Sequence, residues 1–119
     1  LGIANLKYYS HVLQDRKDKY SYYKEHLSNS KELSFQKIKI GESNYSYFPL
    51  IFQSEEILLK IEKLLNNQEI YPRRYFYPSL NSYKKIVDYT PMPISESIAK
   101  RILCLPLYLN LEYEQLDEI

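Results

Sequence analysis

The sequence predicts an α/β (α+β) fold: a small antiparallel sheet with helices packed on one face, preceded by a long N-terminal helix. Three observations predict it. Apolar and aromatic residues recur at three- and four-residue steps between positions 3 and 27, which is helix periodicity. Short runs rich in β-branched and aromatic residues lie at 33–38 and 45–52. Capped amphipathic stretches then alternate with such runs, a pattern that covers a sheet with helices.

The elements follow in order. Ile3, Leu6, Tyr9, Leu13, Arg16, Tyr20, Tyr23 and Leu27 share one helix face, and Asn29 and Ser30 end it. This face is longer than a small domain needs, so part of it is expected to pack on something else. A turn is expected at 41–44, between the strands 33–38 and 45–52, and Pro49 predicts an edge or bulge in the second strand. Ser54 is a helix cap, with Glu55 and Glu56 where the helix dipole favours acids. Ile57, Leu58, Ile61, Leu64 and Leu65 make the apolar stripe of that helix, which Asn66 and Asn67 close. A strand is expected from about 70 to 76, then a loop at 89–93. Ser95 caps a short helix, with Glu96 in its first turn and Lys100 and Arg101 in its last. Residues 103–107 form a short buried strand, and Asn110 caps a final helix.

Composition limits the function classes. The chain has 119 residues, one domain's worth, and a formal charge of +1, which argues for neither nucleic acid nor membrane as partner. Fourteen Tyr stand beside no Trp. Tyr needs its hydroxyl satisfied or wet, so many of these rings belong at surfaces, interfaces or a cleft. Cys104 is the single cysteine; it forbids an internal disulfide and fits a reducing, cytoplasmic setting. Lying among Ile102, Leu103 and Leu105, it reads as a small buried hydrophobe. No apolar run has the length of a membrane span. His11 and His26 are well separated on the first helix, with no Cys or carboxylate at ligand spacing, so no metal is assigned. Basic residues at Lys84, Lys85, Lys100 and Arg101 are not joined by the glycine-bearing strand motif of RNA-binding sheets.

The segment 71–81 is the most informative. Arg73, Arg74, Tyr75, Phe76 and Tyr77 lie between Pro72 and Pro78, which fix φ and remove backbone donors. In an extended chain Arg74 and Phe76 share one face, Tyr75 and Tyr77 the other. Such a strand suits an anionic, ring-bearing ligand. Equally, Arg74 stacks on neighbouring Tyr rings while Tyr77 closes the core, and Arg73 faces solvent or an interface. The chain holds no catalytic triad, glycine-rich phosphate loop or metal cluster, so no catalytic residue is assigned. Its ends read as cut, and the sequence is expected to be a piece of a larger protein.

Three blocks carry a resemblance. Residues 1–6 with Arg16, Lys17 and Tyr23 look like the helix entering a small domain. Residues 74–81 are similar to the pattern Arg-x-aromatic-Tyr-Pro-Pro-Leu-His, with Arg74, Tyr77, Pro78 and Leu80 matching, Ser79 replacing Pro and Asn81 replacing His. Residues 93–108 look like a closing block in which a capped helix leads to Leu-x-Leu-Pro. In this order they resemble the C-terminal part of the DegT/DnrJ/StrS family of sugar aminotransferases.

The resemblance implies fold-type I enzymes dependent on pyridoxal phosphate, which move an amino group from glutamate to a keto sugar on a nucleotide diphosphate. It divides the chain into 1–30, a helix linking to a large domain that lies outside this sequence, and 31–119, the small domain. The Schiff-base lysine and phosphate-binding residues would belong to that large domain. Lys7, Lys17 and Lys19 match no part of its motif, so no cofactor is expected on this chain alone. Arg74, Tyr77 and Asn81 would border the sugar-nucleotide cleft, and the complete enzyme would be a homodimer. A related dehydratase, or a non-catalytic module binding sugar nucleotides or serving assembly, is the alternative. The residue upstream, Lys or His, separates aminotransferase from dehydratase.

Overall fold

The computed structural model describes residues 2–38, 41–75 and 77–119. Three strands, β1 (Leu33–Phe35), β2 (Phe48–Phe52) and β3 (Ile102–Leu105), form one antiparallel sheet in the order β1-β2-β3. Helices α1 (Gly2–Leu6) and α2 (Tyr9–Leu27) precede it, α3 (Glu55–Asn67) and α4 (Pro93–Arg101) lie between β2 and β3, and α5 (Tyr113–Asp117) follows. The expected fold class is therefore observed.

Strand alternation builds the core. Phe48 pairs with Leu105, and Leu50 with Leu103, so these four side chains share a face with Phe52. Tyr23 of α2, Leu58 and Leu65 of α3, Leu111, and Leu116 of α5 close over them. Phe48 is the centre: its ring stacks on Tyr23 at 4.9 Å and meets Tyr20 edge-on at 4.8 Å.

β2 is the central strand, yet Pro49 lies just past the end of β1, at a local edge such as the sequence predicts. The Pro49↔Cys104 pair shows why proline is tolerated there. Cys104 gives both its backbone groups to Arg73 on the opposite side, at 2.9 and 2.8 Å. Pro49 therefore turns its nitrogen away from β3, toward β1, whose last pair is Phe35↔Leu50, one position short. Residues 45–47 also fall outside β2. Asn44 Oδ1 accepts from Ser46 N at 3.1 Å and Ser43 Oγ from Tyr45 N at 3.0 Å. Such side-chain turns compete with the ladder, and Tyr45 sits at φ 50°.

The long first helix is two helices. Nothing in α1 is buried, and Ile3, Leu6, Tyr8 and Tyr9 are exposed. Only from Leu13 onward does the face turn inward, and Tyr23 hydrogen-bonds Pro106 O at 3.0 Å. Ser54 caps α3 as expected, accepting from Ile57 N at 3.3 Å. Leu64, at the edge of the stripe, is exposed.

Two caps differ from expectation. Met92 is the N-cap of α4, with Pro93 in its first turn. Ser95 instead bonds Ser79 Oγ at 2.8 Å. Glu112, not Asn110, caps α5 through a reciprocal box with Gln115. Asn110 occupies a positive-φ position just before it, φ 64°.

Cys104 is 2% exposed, and burial pushes its thiol up to about 11. At pH 8 the thiolate is scarce and enclosed. Native protein is expected to react with a thiol-specific disulfide reagent only at its unfolding rate. Stoichiometric labelling within seconds would contradict this burial.

Candidate functional site

The described residues 70–75 form no named strand. Pro72 has no N–H, and Arg73 alone bridges to β3 through Cys104. The chain then turns, with Tyr77 N donating to Arg74 O at 3.3 Å. This overturns the alternation expected of Arg74 and Tyr77. The two lie together: the guanidinium carbon sits 3.8 Å from the centre of the Tyr77 ring, a cation–π stack. Phe76, expected beside Arg74, is outside the described residues.

Arg74 is held from two helices. Its Nη2 donates to Glu55 Oε1 at 2.9 Å, in the first turn of α3, and to Lys100 O at 3.0 Å, near the end of α4. Its Nε is buried and has no protein partner. Stacking on Tyr77 fits the structural alternative, but Tyr77 remains 43% exposed and does not close the core. Beside this pair, Tyr75 packs against Tyr47 at 4.9 Å. Arg73 is exposed.

Asn81 lies apart from that pair, 9% exposed, in the 3-10 turn Leu80–Ser82. Its Nδ2 donates to Thr90 O at 2.8 Å and Glu96 Oε1 at 2.6 Å, while its Oδ1 is buried without a partner. Glu96 is the residue that sequence reasoning placed only as a complement to the helix dipole. Its carboxyl lies below the ordinary range, chiefly because Met92 N–H donates to it, then because of Asn81, with Tyr89 and Lys100 adding to the effect. Lys19 was the other surprise. Its ammonium is buried against Asp15 and Tyr108 O, and the only sequence signal was the four-residue step from Asp15.

The described residues do not fit a pyridoxal phosphate cradle. The N-termini of α3 and α4 carry Glu55, Glu56 and Glu96, which repel a phosphate. Lys19 is ion-paired, and every other described lysine is exposed. His11 and His26 are exposed on α2. Among the described residues, no group of three or more metal-ligating side chains comes together, and no helix is long and apolar enough to cross a membrane.

Comparison with known proteins agrees with this fold. The chain is 30% identical over 125 residues to a dTDP-4-amino-4,6-dideoxy-D-glucose transaminase of Shigella dysenteriae, covering 99% of this chain and 34% of that protein. Its fold matches the aminotransferase TlmJ from Streptoalloteichus hindustanus with a TM-score of 0.89 at 19% identity, over 99% of this chain and 32% of TlmJ. It also matches a sugar aminotransferase of Streptococcus pneumoniae, solved in a PLP form, with a TM-score of 0.84 at 26% identity over 99% of this chain and 32% of that one. The chain thus spans about a third of the length of the relatives it matches. With the family's sequence profile matching residues 1–119, the chain belongs to the DegT/DnrJ/EryC1/StrS aminotransferase family.

Proposed function

We propose that this chain is the C-terminal small domain of a pyridoxal-phosphate-dependent aminotransferase that acts on a nucleotide-linked keto sugar, with glutamate as amino donor. Residues 1–30 lead from the large domain and 31–119 form the small one. The observation that carries the reading is the family match over all 119 residues. The cofactor's electron sink supplies the bond chemistry when bound. It resides on the large domain, so the chain alone is inactive. The complete enzyme is a cytoplasmic homodimer feeding amino-sugar and polysaccharide synthesis.

This chain's part is to border the substrate cleft. Arg74 supplies a fixed, planar cation beside the exposed Tyr77 ring, a pairing that suits diphosphate or carboxylate oxygens next to a sugar or base. Asn81 belongs to the same border by anchoring the loop behind it.

Arg74→Lys in the complete protein tests the reading. Lysine keeps the charge opposite Glu55 but loses the fork. A lost charge-assisted hydrogen bond of ~1.5–3 kcal/mol is expected to raise KM for one substrate roughly 10- to 100-fold. Whether that substrate is the sugar nucleotide or glutamate identifies the ligand of Arg74. Lowered stability with normal kinetics per folded molecule would make Arg74 structural.

A further inference from the structure

Three donors from one irregular stretch converge on a single oxygen. Glu96 Oε1 accepts from Asn81 Nδ2 at 2.6 Å, from Met92 N at 2.9 Å and from Tyr89 OH at 3.3 Å. The stretch they come from, 79–92, contains one 3-10 turn and little burial. Leu80 is 80% exposed and Ile86 81%. Apolar packing therefore does little to fix its path, and hydrogen bonds to α4 must.

Those bonds run along one helix. Lys100 O holds Arg74, Ser95 holds Ser79, and Glu96 holds Asn81. Of these, Glu96 alone brings together the two ends of the loop, at Asn81 and at Met92. The Asn81 amide is fixed in rotation, because both Nδ2 contacts are acceptors, Thr90 O and Glu96 Oε1. A carboxylate suits this place because it only accepts, and its charge strengthens every bond it takes. A glutamine there can keep its carbonyl oxygen on the same three donors but loses the charge that strengthens each bond.

We propose that Glu96 is a positioning residue. Its carboxylate sets the loop 79–92 against α4 and, through Asn81 and Ser79, fixes the direction in which Tyr77 and Arg74 meet the ligand. This rests on the reading of Arg74 and Tyr77 as the cleft border.

The complete protein carrying Glu96→Gln tests it by two readouts. Trypsin cuts after lysine, and Lys84 and Lys85 lie in the loop. Losing charge-assisted bonds is expected to speed cleavage there about tenfold and to raise KM for the ligand of Arg74 about tenfold. The kcat, the bound cofactor's absorption and the thermal midpoint should stay near those of the parent. Unchanged cleavage in Glu96→Gln overturns the proposal, because the loop would then be held by something else. Faster cleavage with unchanged KM also overturns it, because an ordered loop would not matter to the ligand. Failure of the cleft reading itself looks different. Arg74→Lys would then leave KM for both substrates normal, whatever Glu96→Gln does to cleavage.

Discussion

Phe48→Ala is expected to cost about 3–5 kcal/mol of stability, as large-to-small changes of a fully buried aromatic do. Phe48 is 0% exposed and lies in the central strand. Its ring meets those of Tyr20, Tyr23 and Phe35, at 4.8, 4.9 and 6.1 Å. Each such aromatic pair is worth ~0.5–1.5 kcal/mol beyond the area it buries. The neighbours cannot readily collapse into the space. Tyr23 is tethered through its hydroxyl to Pro106 O, and Leu105 is fixed opposite by the ladder. A cavity therefore persists, and the cost should fall toward the upper end of the range. Phe48→Leu keeps most of the volume and is expected to cost under about 2 kcal/mol. Urea unfolding followed by circular dichroism reads both. A loss below 1 kcal/mol for the alanine variant would mean that the sheet does not organise this core.

What was legible in the sequence was what neighbours in sequence decide. Ser54 with Glu55 and Glu56 specified the start of α3, because cap and dipole act within one turn. The aromatic and β-branched composition of 45–52 specified a strand there, of which Phe48–Phe52 forms β2. Errors arose where a local signal had a rival. Ser95 looks like a cap, yet Pro93 is already placed to open the helix, and Ser95 finds Ser79 instead. Residues 45–47 have strand composition, yet Ser43 and Asn44 turn the backbone. The site follows the same division. Arg74 and Tyr77 stood out by type, but their arrangement rests on contacts 19 and 26 residues away, to Glu55 and Lys100. The Glu96 contact to Asn81 spans 15 residues. No periodicity encodes such contacts, since tertiary packing sets them.

The asymmetry of the Lys19–Asp15 pair gives the second large effect. Lys19 Nζ donates to both Asp15 oxygens at 2.8 and 2.7 Å and to Tyr108 O at 3.4 Å. The side chains are 5% and 21% exposed, so the ammonium is enclosed while the carboxylate still touches water. Removing either partner strands the other, but not at equal cost. Asp15→Ala leaves an enclosed cation with one long hydrogen bond. Breaking a buried pair in this way costs ~3–5 kcal/mol, reduced here to about 2–4 by the partial exposure of Asp15. Lys19→Met keeps the packing of the stem and leaves a carboxylate that water can solvate, so about 1–2 kcal/mol is expected. The double variant should cost less than the two singles added, because the stranded charge is counted in each. Screening reaches an enclosed pair poorly, so the order should persist in 0.5 M salt. Thermal or urea unfolding of the three variants measures it. Equal small losses, each under 0.5 kcal/mol, would show that Lys19 is solvated in solution and that α2 docks on the 106–108 segment through Tyr23 alone.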